Sequence, residues 1–192
     1  HVLYTQAIVR SLPALAIANA TPTAHVSGPA LDPANWERAK LAPITAAKLS
    51  AGVASADPAT DAHAKVGAKR LPAMVRLTRP GQSLEFRFQG THCAVYDVVG
   101  PAGGKVAVTL DGGKPFVVQR IDAYGTYPRL STFIVGTDLA EGVHSVRLEL
   151  LADPIDKAAV LAKNKNKIDK PERFAPLEFY PGGLLIVGEL VP

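Results

Sequence analysis

The chain has 192 residues, 47% of them hydrophobic, which suits one domain of ordinary size with a real core and argues against disorder. Its net charge of +4 comes from scattered lysines and arginines and aromatics make up only 6%, so no basic stacking platform for nucleic acid is written here. A single cysteine, Cys93, excludes an internal disulfide and a thiolate metal cluster, and no apolar run approaches the ~18 residues that cross a membrane.

From the N-terminus, Leu3, Ala7, Ile8, Leu12 and Leu15 recur at spacings of three and four, which predicts an amphipathic helix to about Ser11, ended or kinked by Pro13. The stretch Leu12 to Ala20 could mimic a signal-peptide core, but no initiator Met is present and only one basic residue precedes it. An N-terminal histidine can ligate copper, yet a helix starting at once aims His1 poorly and gives it no partner histidine. Asn19 to Pro33 is rich in Ala, Thr, Pro and Gly and reads as a connector with a domain boundary. In Leu31 to Lys40, Asp32-Pro33 is an N-cap with a first-turn proline, which predicts a short helix carrying Trp36, the only tryptophan, as a packing anchor. Ser50 to Ala68 shows no sustained period and is expected to be an irregular excursion.

Strand signals then follow closely, beginning with Ala73 to Thr78. In Ser83 to Gly113, Leu84, Phe86 and Phe88 alternate with polar residues, and Gly90-Thr91 is expected to turn the chain. The apolar run His92 to Val99 predicts a strand covered on both sides, with Cys93 a small buried hydrophobe within it. Val106, Val108 and Leu110 alternate again before the hairpin signal Asp111-Gly112. Further strands are expected over Pro115 to Ile121, Leu130 to Val135, Val143 to Leu151 and Leu184 to Leu190, with a Lys-rich helix from Asp153-Pro154 to about Lys163 and a basic loop over Asn164 to Pro171. The pattern predicts a mainly β protein, an antiparallel β-sandwich of jelly-roll type with an N-terminal α-helix and short helical insertions. Residues 1–18 would form the separate helix, 19–30 the linker and 31–192 the sandwich.

The strong catalytic signatures are missing. The sequence has no GxSxG elbow, phosphate loop, HExxH or paired cysteines. The five histidines, His1, His25, His63, His92 and His144, share no ligand spacing, so no metal site and no cofactor is expected. The polar cluster with most content is RIDAYGTYPR, which places Arg120, Asp122, Tyr124, Tyr127 and Arg129 within ten residues. Aromatic rings flanked by a carboxylate and guanidinium groups suit a sugar ring, whose CH groups stack while its hydroxyls bond to charge. Two other readings stay open: tyrosines bracing the loop beside an Arg120–Asp122 ion pair, or a contact with a neighbouring domain.

The segments FRFQGTHCAVYDVVGPAGGKVAVTLDGG, RIDAYGTYPRL, EGVHSVRLELL and GGLLIVGELV together resemble the jelly-roll accessory domain of bacterial SGNH/GDSL-type esterases, including carbohydrate esterases. The resemblance runs from about Ala24 to Val191, and the F-x-G-T, Y-D-x-x-G-P and V-T-L-D-G pieces are its most specific parts. The opening HVLYTQAIVRSLPAL is similar to the last helix of the SGNH catalytic domain, which follows that family's D-x-x-H pair. Neither that pair nor the family's G-D-S-type serine block is in this sequence, so the resemblance implies no catalytic residue here, and His1 is not promoted to that role. What it implies is a non-catalytic module of an ester hydrolase that assists saccharide binding, or a purely structural domain packed on the catalytic one. The expected partners are that SGNH catalytic domain and a saccharide, with neither nucleic acid nor a membrane, in a parent exported to the periplasm or beyond.

Overall fold

Residues 2–15, 28, 31–32, 35–71 and 73–192 are described by a computed structural model, and the chain divides into two units, His1–Asn35 and Trp36–Pro192. The first holds α1 (Val2–Leu15), where Ser11 Oγ donates to the Ile8 carbonyl at 2.8 Å. This helix passes through Pro13 and so outruns its expected end near Ser11. The proline costs it the one bond that residue 13 would donate to the Val9 carbonyl, close enough to the end for the last residues to remain helical. Of the expected 19–30 connector only Gly28 is among the described residues; His1 and His25 lie outside them.

In the second unit, β1 (Ala39–Pro43), β2 (Lys48–Leu49), β3 (Ala54–Ser55), α2 (Ala62–Gly67) and β4 (Val75–Arg76) precede the main strands. These are β5 (Ser83–Val99), β6 (Lys105–Leu110), β7 (Phe116–Gln119), β8 (Arg129–Gly136) and β9 (Gly142–Leu150). Two short helices, α3 (Lys157–Ala162) and α4 (Pro171–Phe174), lead into β10 (Tyr180–Val191). Among the described residues of the stretch Leu31 to Lys40 the expected helix is not found: Trp36 begins a tight turn, with the Ala39 N–H donating to its carbonyl at 2.9 Å, and Ala39–Pro43 pairs with Val187–Gly183 of β10. That row of unpaired peptide groups on β10 outweighs the local capping signal. The expected irregular stretch 50–68 is also more ordered than its composition suggests. Asp61 caps α2 by accepting from the His63 and Ala64 N–H groups, and β3 pairs with β4. The Lys-rich helix begins at Lys157 rather than at Asp153-Pro154, because the Asp156 carboxylate takes the Ala159 N–H.

The largest departure is at Gly90-Thr91. Instead of reversing, the chain runs straight through, and Ser83–Val99 is one strand of 17 residues. Its first half pairs with β9, to which β6 and then β7 are added; its second half pairs with β8. On the opposite side β10 runs antiparallel along both halves, from Tyr180 beside Val98 to Val191 beside Arg87. The two long strands thus pass together from one layer of an antiparallel sandwich to the other. They cross where Gly90 faces Gly188, at φ of +150° and +139°. A Cβ on either would fall inside the carbonyl oxygen of the other strand, Val187 for Gly90 and Gln89 for Gly188.

Thr91 is the extra residue of a bulge, since His92 pairs with Val187 and Gly90 with Gly188. It shifts the inward set from even positions (Leu84, Phe86, Phe88) to odd ones (Cys93, Val95). Those side chains meet Val146 and Leu148 of β9, Val106 and Val108 of β6, Phe133 and Val135 of β8 and Leu184 and Ile186 of β10 in one core. Full burial of each large aliphatic or aromatic member contributes about 1.5–3 kcal/mol. Burial pushes the Cys93 thiol up to about 12, so it serves as packing.

At the far end of the hairpin, Asp111 (φ +52°) and Gly112 (φ +66°) make the expected tight turn between β6 and β7. Asp111 accepts from the Ser145 N–H at 2.7 Å and faces His144 Nδ1 at 2.7 Å, while His144 Nε2 lies 2.9 Å from the Ala140 carbonyl. Both ring nitrogens therefore face acceptors, an arrangement that suits the imidazolium. The hydrogen bond to Asp111 raises the histidine above its usual 6.5, against a smaller effect of burial.

Two outcomes are expected. Gly90→Ala or Gly188→Ala should cost at least ~2 kcal/mol in urea unfolding, while Gly81→Ala, at φ +84° with open space around it, should cost only ~1 kcal/mol. Because the folded pKa of His144 lies above its unfolded value, its contribution is complete below pH 6.5 and disappears as pH rises through the raised pKa. Urea midpoints between pH 6 and 8.5 should show that decline, and Asp111→Asn should flatten it.

Candidate functional site

The stretch expected to bind a ligand, residues 120 to 129, joins β7 to β8, and its two ends behave differently. Arg120 turns inward. Its Nε and Nη2 fork onto Asp97 Oδ2 and Oδ1, both at 2.7 Å, Nη2 also reaches Ser131 Oγ at 3.2 Å, and the guanidinium lies 4.7 Å from the centre of the Phe133 ring. Asp97 has no solvent exposure. Burial pushes its carboxyl up to about 6, with Arg120 pulling in the other direction. A buried guanidinium needs a buried counter-charge, and β5 supplies one in the middle of an apolar run. Arg120 is thus committed to Asp97 and pairs with neither Asp122 nor the surface of the loop.

Asp122 takes Arg129 as its ion-pair partner, accepts from the Tyr124 N–H at 2.9 Å, and its backbone carbonyl accepts from Gly125 N–H at 2.9 Å. Partial burial pushes its carboxyl upward, but the bonds from Arg129 and Tyr124 together hold it below the usual range. The Arg129 guanidinium stands 5.9 Å from the centre of the Tyr124 ring. Tyr124 and Tyr127 are each 57% exposed. The loop is pinned from behind, where Asn166 Nδ2 donates to the Ala123 carbonyl at 2.7 Å and Arg173 Nη2 to that of Thr126 at 3.0 Å. A preorganised pair of charges beside two exposed phenol rings results.

Among the described residues, grooves lie on the sheet faces that no sequence motif signals. One, of about 770 Å³, crosses β5, β9 and β6 and is lined by Lys48, Glu85, Arg87, Thr109, Ser145 and Arg147. There Arg147 bridges Glu85 and Glu149, the latter at 2.8 Å, and Arg87 Nη1 donates to the Pro192 carbonyl at 2.8 Å. Another, of about 420 Å³, crosses β1, β10, β5 and β8 beside Trp36. Trp36, read from the sequence as a packing anchor, rests on the His92 ring with centroids 4.7 Å apart, yet 63% of it is exposed. Among the described residues, no three His, Cys, Asp or Glu side chains converge as a metal site requires, and no helix is long and apolar enough to cross a membrane.

No family model and no curated protein matches the chain. Solved structures of similar fold include a two-domain esterase (CEX) active on acetylated mannans, at 15% identity and a TM-score of 0.63, covering 98% of this chain and 47% of that one. The same esterase co-crystallised with mannopentaose aligns over 100% of this chain and 46% of its own, at 12% identity and a TM-score of 0.60. A family two carbohydrate esterase from Cellvibrio japonicus aligns at 11% identity and a TM-score of 0.51, over 80% of this chain and 35% of that one. The chain therefore spans less than half the length of these carbohydrate esterases, and at such identities the likeness is one of fold.

Removing one member of the buried pair should be costly. Arg120→Met leaves the Asp97 charge enclosed and should lose about 3–5 kcal/mol at pH 8 by chemical denaturation. Because Arg120 holds the Asp97 carboxyl down, the variant takes up that proton at a higher pH than the native protein, and the deficit should narrow as pH falls from 8 toward 6.

Proposed function

We propose that this chain is a non-catalytic β-sandwich module of an SGNH-type carbohydrate esterase and that it assists in binding or orienting the saccharide. The reading is carried by the extent of the fold likeness: essentially the whole of this chain aligns with less than half of a two-domain esterase active on acetylated mannans. It is further supported by the sequence, which holds neither a G-D-S-type block nor a D-x-x-H pair with which to activate an ester carbonyl. In this reading residues 31–192 are the module, with the jelly-roll connectivity of such accessory domains, and residues 1–18, which include α1, belong to the end of the catalytic domain.

The saccharide surface we assign to the loop consists of Asp122, Tyr124, Tyr127 and Arg129, with Arg120 as its buried anchor. The exposed phenol rings offer faces to sugar CH groups. The Asp122–Arg129 pair offers a half-exposed carboxylate acceptor and a partly exposed guanidinium to hydroxyls, held in place so that little ordering remains to be done on binding. Calorimetric titration with acetylated and plain manno-oligosaccharides should detect binding. Tyr124→Ala and Tyr127→Ala should each weaken it about tenfold, ~1.4 kcal/mol. The carbohydrate role is lost if no saccharide binds while the fold is intact, and the non-catalytic one if the chain hydrolyses an acetyl ester in a manner abolished by a point mutation.

One observation favours a second reading, a purely structural domain. Asp122 is already satisfied by Arg129 and the Tyr124 N–H, so the loop is braced and suited to packing against a catalytic domain. Under that reading the tyrosine variants would leave sugar binding unchanged and weaken association between the domains.

A further inference from the structure

The layer formed by β1, β10, β5 and β8 is covered unevenly on its outer face. Around Val98 and Tyr180 it is closed by Ala64, Leu71 and Met74. Near His92 and Ala94 it is open, and there lies the groove of about 420 Å³, within the ~300–1,000 Å³ range of small-ligand sites. Its walls are Leu41, Ile134 and Val187, and Ile134 is 55% exposed. Polar groups sit at defined points: the Thr132 hydroxyl along β8, and on the rim Lys40, whose ammonium pairs with Glu189 at 2.6 Å.

His92 is the informative member. Only 8% of it is exposed, it lines the groove, and its Nδ1 is enclosed with no hydrogen-bond partner. Enclosed imidazole nitrogens ordinarily find a partner within the protein. Over this ring lies Trp36, which belongs to the turn before β1 rather than to a strand. The indole can therefore shift without disturbing the sheet. A partner presenting only apolar side chains would cover the walls and leave Nδ1 unsatisfied. What fits both is a ligand with a flat CH face and hydroxyls along its edge.

We propose that the Trp36–His92 groove is a saccharide subsite, in which a pyranose ring stacks its CH face on the indole and bonds one hydroxyl to His92 Nδ1. It shares its ligand class with the function proposed above, on which that much rests, but occupies a different part of the module from the Tyr124–Tyr127 loop. Stacking supplies most of the affinity, and the single enclosed nitrogen sets the orientation of the ring.

Trp36 is the only tryptophan in the chain, so its emission reports on this groove directly. The full chain is titrated with neutral gluco- and manno-hexasaccharides, by fluorescence and calorimetry in parallel. A saturable emission change is expected whose midpoint matches the calorimetric one. Ile134→Arg, at an exposed position that the core does not use, should weaken binding at least tenfold with circular dichroism unchanged, and His92→Phe should do the same. A Tyr124→Ala/Tyr127→Ala double variant should keep the emission change. Calorimetric binding with unaltered emission, or with an affinity lost in the tyrosine variant and retained in Ile134→Arg, would overturn this subsite while leaving the loop proposal standing. The reverse pattern would sink the loop and keep the subsite. A sugar-independent blue shift that grows with protein concentration, together with dimers in sedimentation, would show that a second copy covers the groove and would also overturn the proposal.

Discussion

Two facing glycines set the architecture. Where Gly90 meets Gly188, β5 and β10 approach more closely than any side chain permits, and both strands leave one layer and enter the next. Because they turn together, their backbone hydrogen bonds continue around the corner with a single residue, Thr91, left over. The pairing of β5 with β10 resumes at His92 and Val187, so the ladder continues on the far side of the bend. The inward alternation resumes on the far side in the opposite parity, which is how one strand can line the same core twice.

This corner also fixes where polar chemistry is placed. The half of β5 beyond it carries Asp97 into the interior, and Arg120 follows it there, so the loop after β7 is anchored at its root by a charge pair and free at its tip. Lys157 shows the same economy on a smaller scale. Its buried ammonium donates to the Pro101 and Pro176 carbonyls at 2.8 and 2.6 Å, and burial pushes it down to about 8. Loops that look irregular in outline are thus tied to the sandwich by a few buried charges whose partners are far away in sequence.

Most of the sheet was legible because it obeys alternation. The β6–β7 hairpin and β9, with Val146, Leu148 and Leu150 inward, follow directly from period two and an Asp-Gly turn. What misled was local chemistry overruled by distant pairing. Gly90 looks like a turn in isolation, and only the opposing Gly188, nearly a hundred residues later, makes it a corner. Asp32 looks like a helix cap, but the residues after Trp36 are claimed by the free edge of β10. In the candidate loop, spacing grouped five residues, yet it carried no sign that Asp97 would draw Arg120 away. Trp36 and His92 lie 56 positions apart and share no motif, so their meeting could be found only in three dimensions.

The arrangement of β10 has a consequence for how this domain comes into being. It is the last of the described strands to leave the ribosome, and it lies between β1 and both halves of β5, so neither layer can be finished until it arrives. Until then β5 is unzipped along one side from Arg87 to Val98, a state that a chaperone would recognise and a neighbouring nascent chain could mistake for its own partner.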